Sequence, residues 1–214
     1  MKKIILFITI LSISFSINAQ NSKISFGAKT GINLSKYTPD LYFENIKLAD
    51  YQSKTGFYIG GFTNIKISDK FRIQPELLFS IQGTKILSEG IPMFNSDGSL
   101  TKIGSFEIKL SESTIYVPII LQYFISNKIN LEGGIQLGYI LNIKEEITKY
   151  STNKNLTTAN NISSYEKFDF GLNIGVGFNI FQNFRLNARY FLGVIERANS
   201  IKPSNFSLGI EYKL

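Results

Sequence analysis

The chain has 214 residues, with 23 Lys and Arg against 16 Asp and Glu, a formal charge of +7, and neither Cys nor His. Disulfide frameworks, zinc sites built on Cys or His, and Ser-His-Asp or Cys-His catalysis are thereby excluded. The basic residues are scattered rather than gathered into one stripe, which argues against nucleic acid as a partner.

The N-terminus sets the compartment. Lys2 and Lys3 precede an apolar run, Ile4 to Ile17, interrupted only by Thr9 and three serines, and Ala19 follows. This order is that of a secretory signal peptide, residues 1–19, cleaved after Ala19, which leaves 20–214 as one exported domain. The run falls short of the roughly 20 apolar residues of a spanning helix. Charges or Gly interrupt every later apolar stretch.

Eight segments with period-2 alternation follow, the signature of strands with one polar face. The first sets Ile24, Phe26, Ala28, Ile32 and Leu34 against Ser25, Gly27, Lys29, Gly31 and Asn33. The second carries Phe57, Ile59, Thr63, Ile65 and Ile67 against Tyr58, Gly60, Asn64 and Lys66. After Ser68-Asp69-Lys70 the third places Phe71, Ile73, Leu77, Phe79 and Ile81 opposite Arg72, Gln74, Glu76, Ser80 and Gln82. The fourth, Ile115 to Ile125, is less clean, because Tyr116, Ile120 and Phe124 share its other face. Ser126-Asn127-Lys128 leads into the fifth, Ile129 to Ile143, with Asn130, Glu132, Gly134, Gln136 and Gly138 between its apolar residues. The sixth, Phe168 to Ile180, alternates with Asp169, Gly171, Asn173, Gly175 and Gly177. Phe181-Gln182-Asn183 joins it to Phe184–Val194, interleaved with Arg185, Asn187, Arg189 and Gly193, and the eighth runs from Phe206 to Leu214.

Three connections of about three residues alternate with four longer polar ones, 35–54, 87–113, 144–165 and 196–204. Short turns at one end, long loops at the other and an even strand count predict an all-β, eight-stranded antiparallel up-and-down transmembrane β-barrel. Phe106, Ile108 and Leu110 lie in the opposite parity to the apolar residues from Ile115 onward, so a bulge or a separate hairpin is expected near Ser111 to Thr114.

The polar face decides which side meets lipid. It is rich in Gly, a poor choice for a solvated surface but suited to a narrow lumen, where it makes room for long Arg and Glu side chains. The apolar face carries almost no charge, Lys85 being the clearest exception. Lys29, Lys66, Arg72, Glu76, Glu132, Asp169, Arg185, Arg189, Glu211 and Lys213 are expected in or near the lumen as a paired network. Aromatics near both strand ends, including Phe26, Phe71, Tyr123, Phe184 and Tyr212 at the short-turn end, suit interfacial girdles. That end also carries a basic excess.

The terminal segment Ser207 to Leu214 resembles the strand signal read by barrel-assembly machinery, closing on Leu instead of an aromatic residue. The whole mature chain resembles the PorT-type outer-membrane β-barrel domain family. The resemblance is carried by Phe26-Gly27-Ala28-Lys29-Thr30-Gly31-Ile32-Asn33, Ile73-Gln74-Pro75-Glu76-Leu77-Leu78-Phe79, Tyr116-Val117-Pro118-Ile119 and Phe170-Gly171-Leu172-Asn173-Ile174-Gly175-Val176-Gly177. It implies an outer-membrane location and, from the founding members, a part in type IX secretion. The expected function is a non-enzymatic, monomeric barrel in a structural, adhesive or secretion-accessory role. Its partners would be outer-membrane lipids, the assembly machinery, and secretion-system or cell-surface proteins. No catalytic, cofactor or metal site is expected. The alternatives are a soluble periplasmic lipocalin-like barrel, with the apolar set lining a cavity, and a lipid-modifying outer-membrane enzyme.

Overall fold

The protein is described from a computed structural model over residues 23–43, 46–94, 100–150, 166–196 and 201–214. The expected signal peptide, residues 1–19, lies outside the described residues. Eleven strands are present: β1 (Ile24–Thr38), β2 (Leu41–Phe43), β3 (Ile46–Lys66), β4 (Phe71–Ser88), β5 (Ile91–Phe94), β6 (Leu100–Ile103), β7 (Phe106–Phe124), β8 (Ile129–Tyr150), β9 (Phe168–Asn179), β10 (Phe184–Gly193) and β11 (Lys202–Lys213).

Eight long strands and the short β2 make one antiparallel sheet, ordered β1-β11-β10-β9-β8-β7-β4-β3-β2, while β5 and β6 pair only with each other. β1 has a hydrogen-bonded neighbour on each side. It meets β11 from Gly27↔Lys213 to Thr38↔Lys202, and β3 from Ile24↔Ile65 to Ser35↔Lys54.

Two of the three short turns owe their form to a serine. Ile67 N–H and Ser68 N–H both donate to the Phe71 carbonyl, and Ser68 Oγ accepts from the Lys70 and Phe71 amides. Ser126 repeats the arrangement with Lys128 and Ile129. A serine hydroxyl capping its own turn is what the Ser-Asp/Asn-Lys sequence supplies.

Alternation sorts the side chains by polarity. Ile32, Ile59, Leu77, Leu137, Leu172 and Ile174 face outward and exposed, whereas Lys29, Asn33, Glu76, Glu132, Arg189 and Glu211 point inward and are buried. An outward apolar surface of this extent exceeds what a soluble monomer tolerates and suits hydrocarbon. The arrangement is the reverse of the soluble lipocalin-like alternative, in which the apolar set would line the cavity. Aromatic pairs close both ends of this band: Phe71 with Tyr123 and Phe184 with Tyr212 at the short turns, Tyr139 with Phe168 at the other end.

Two expected loops, 35–54 and 87–113, turn out to be largely strand, and the described part of a third, 144–150, is strand as well. β4 continues to Ser88 and β7 begins at Phe106, so the 87–113 loop shrinks to a connection carrying the β5–β6 pair. The 35–54 segment is mostly the ends of β1 and β3, and β8 extends through residues 144–150. Backbone groups beyond the apolar band still gain by pairing, and polar side chains on both faces do not prevent it.

The parity change before Ile115 has a different cause from the one expected. β7 runs unbroken and keeps Leu110, Glu112, Thr114 and Tyr116 inward without changing face. A register shift does fall at Ser113/Thr114, but the extra residue is in β8, where Ser113 faces Asn142 and Thr114 faces Ile140. What reverses is the polarity of the interior. Beyond the apolar band Tyr37, Tyr51, Leu110 and Ile201 pack inward, with Leu41, Ile86 and Ile143 against them. Outside hydrocarbon the outward face meets water, so the apolar side chains take the inner one.

Candidate functional site

The inward face of the sheet holds two polar layers. In the first, three cations and three carboxylates converge from five strands. Lys29 of β1 bridges Glu76 of β4 at 3.3 Å and Glu211 of β11 at 3.0 Å. Arg189 of β10 donates through Nη2 to Glu76 at 2.7 Å and through Nε to Glu132 of β8. Arg185 pairs with Glu211, its Nε 2.8 Å from Oε2, and its Nη1 reaches Gln122 at 3.1 Å. Amides complete the set. Gln74 donates to Glu76 and Glu211, Gln122 to Glu132, and Asn187 to Glu211. Equal numbers of opposite charges, each carboxylate multiply bonded, is the condition under which buried ions are tolerated.

The second layer lies nearer the long-loop end. Glu112 accepts from Tyr37 Oη and from Gln82 Nε2, Gln82 Nε2 also contacts Tyr116 Oη, and Tyr116 Oη donates to Asp169 at 3.3 Å. Between the layers is a cavity of about 30 Å³ walled by Lys29, Tyr58, Tyr116, Arg189 and Phe191, room for a water or two. At the short-turn end a mouth of about 150 Å³ opens beside Arg72, Arg185 and Lys213.

Of the ten residues expected in or near the lumen, seven are buried inside: Lys29, Glu76, Glu132, Asp169, Arg185, Arg189 and Glu211. Arg72 sits in the mouth with its guanidinium 4.3 Å over the Phe124 ring. Lys66 and Lys213 are exposed at the rim, and Lys66 pairs with Asp69 of its own turn at 2.7 Å. Both stand at the last residues of their strands, where water is the cheaper environment for an ammonium. Glu112 was missed, because it belongs to a stretch whose face is not set by apolar alternation. Gln122 hid among the apolar residues of β7.

The glycines do make room, for the carbonyls of neighbouring strands and, at five positions, for rings. A Cβ on Gly27 would meet Phe62, on Gly31 or Gly209 Tyr58, on Gly138 Tyr116, and on Gly171 Phe191. Gly175 does accommodate Arg189 as expected, while Gly177 makes room for Asn130 first and then Arg185. The inward aromatics are the ones that blurred the polar faces in sequence.

Beyond the band, Lys47 lies 2.7 Å from Asp40 and 2.9 Å from Asp50, and Asp40 also accepts the Tyr51 amide at 3.1 Å. The Lys47 hydrogen bond holds the Asp40 carboxyl below its ordinary value, helped by the Tyr51 amide and opposed by partial burial. A carboxyl depressed on folding stabilises at pH above its unfolded value and loses that contribution as pH falls through the folded one. Protection of the Tyr51 amide against hydrogen exchange, taken relative to the intrinsic rate at each pH, should therefore fall on acidification below the carboxylate range. In Asp40→Asn it should already be low at neutral pH.

Among the described residues no group of three or more Asp or Glu side chains is arranged to hold a metal ion. The chain matches the outer membrane protein beta-barrel domain family over residues 18–196. It belongs to that family. Its outward apolar band and inward charge are those of an outer-membrane β-barrel protein. Solved structures similar to this outer-membrane barrel chain include Ail, the attachment invasion locus protein of Yersinia pestis, in complex with the heparin analogue sucrose octasulfate. That likeness is at 14% identity and TM-score 0.45, over 90% of this chain and 99% of that one. Neisserial surface protein A is similar at 15% identity and TM-score 0.45, over 88% and 97%. The outer membrane protein W of E. coli is similar at 14% identity and TM-score 0.43, over 91% and 100%. No curated protein matches the chain in sequence.

Proposed function

We propose that this chain is a closed, eight-stranded outer-membrane barrel that conducts nothing and works as a rigid, non-enzymatic scaffold for what its strand extensions and loops hold outside the membrane. Closure is supported by β1, which is bonded to β3 on one edge and β11 on the other. The observation that carries the reading is the filled lumen: six mutually paired ions and their amide partners occupy the place where a channel would run. Binding usually resides on loops held by a rigid frame. The resemblance to PorT-type proteins favours a secretion-accessory role for those loops, and the lack of His and Cys disfavours an enzyme.

Planar bilayer recording on the refolded mature chain tests the reading. Heat-modifiable, membrane-inserted protein should pass no steady current. A reproducible open state would refute the scaffold, and recovery only in the soluble fraction would refute the barrel.

A further inference from the structure

Three lysines break the separation of charge from the outer face. Lys85 of β4, Lys109 of β7 and Lys144 of β8 alternate with the inward Thr84, Leu110 and Ile143, so all three point outward. Lys85 and Lys109 are direct cross-strand partners. Lys144 stands one strand on and two residues nearer the apolar band, opposite Ser111, which in turn faces Gly83. Below them the outward face becomes apolar at Ile81, Ile115 and Leu141.

Like charges directly opposite on adjacent strands repel, and such a pair needs a counter-charge. At the same end Lys47 has one in Asp40 and Asp50, Lys149 in Glu107 and Lys202 in Glu196. No carboxylate of the described residues pairs with Lys85, Lys109 or Lys144. Glu146, in register with Lys109, does not close on it. The three ammonium groups, against the one in-register carboxylate of Glu146, therefore form a patch of net positive charge at the edge of the hydrocarbon, on the end of the sheet away from the short turns.

We infer that this patch binds the phosphate groups of an outer-leaflet lipid headgroup. The inference rests on the membrane-spanning reading above. A phosphate in that layer supplies the missing negative charge at the right depth. It accepts several N–H donors at once, while the lysine stems lie along the apolar band and the acyl chains cover Ile81, Ile115 and Leu141. The occupant is a lipid rather than a free anion because the site is open laterally to the bilayer and has no enclosing wall.

The full mature chain is refolded into phosphatidylcholine vesicles, with and without phosphatidic acid, and its urea midpoint is compared with that of Lys85→Gln/Lys109→Gln/Lys144→Gln. Phosphatidic acid should raise the wild-type midpoint by on the order of 1 M, and the triple variant should lose most of that rise. Inorganic phosphate added over plain phosphatidylcholine should not reproduce it; if it does, the ligand is a free anion and the lipid assignment fails. Lys70→Gln/Lys128→Gln, at the opposite rim, should keep the full rise. An equal rise in wild type and triple variant, or its loss in the opposite-rim variant, overturns the inference. Failure to insert, seen as no heat-modifiable form in either vesicle, would instead refute the barrel reading.

Discussion

Replacing Arg189 with Met should lower stability by about 3–5 kcal/mol, more than any substitution on the lipid face. Its guanidinium is the shared partner of Glu76 and Glu132, and it lies 3.8 Å from Glu211. Removing it leaves three buried carboxylates facing Lys29 and Arg185 alone. The penalty comes from the stranded negative charge and not from lost packing, because Met fills comparable volume. Removing charge on both sides should therefore restore part of the loss, and Arg189→Met/Glu132→Gln should be more stable than Arg189→Met. Urea midpoints of the refolded chain in bilayers give both values. A single-variant loss under about 1 kcal/mol would mean that lumen water screens the network.

The second large effect lies where a glycine meets a ring. A Cβ on Gly209 would collide with the Tyr58 hydroxyl and stand 3.0 Å from Asn187 Oδ1. Tyr58 is wedged in place by Gly31 on the neighbouring strand, so the ring has little freedom to retreat. Gly209→Ala should cost about 1–3 kcal/mol through overpacking. Tyr58→Phe removes the colliding oxygen. The double variant should therefore show a coupling of at least about 0.5 kcal/mol in the restoring direction when the four proteins are compared. Additive effects would indicate that strand spacing, and not the ring, limits the site.

How far each feature was legible in sequence follows from the range of the interaction behind it. Contact with lipid acts on each residue separately, so it leaves a period-2 pattern. The alternation at Phe168–Asn179 and Phe184–Gly193 shows it, and the strands begin and end close to where the pattern does. Turns are local too, and Ser68-Asp69-Lys70 carries its own hydrogen-bond acceptor. The lumen charges were identifiable as a set because they share a parity. Their partners were not, since Gln74 and Glu211 meet across 137 residues and Arg189 and Glu76 across 113. Only the register of the intervening strands brings them level.

The least legible region was the part beyond the membrane. There the outward environment changes from hydrocarbon to water, and the apolar residues Tyr37, Tyr51 and Leu110 turn inward while the strands themselves continue. A sequence read on the premise that apolar faces outward turns such strand into loop, and it leaves Glu112 without a side.

By itself the sequence determined that this is an all-β chain with one lipid-like and one polar face, joined by three tight turns at one end. Local polarity and turn chemistry suffice for that. The tertiary structure decided which charges neutralise one another and which glycines make way for aromatic rings. It also brought Lys85, Lys109 and Lys144 together on the outward face with no carboxylate of the described residues paired to them. Each of these depends on cross-strand register, which brings together residues far apart in the chain.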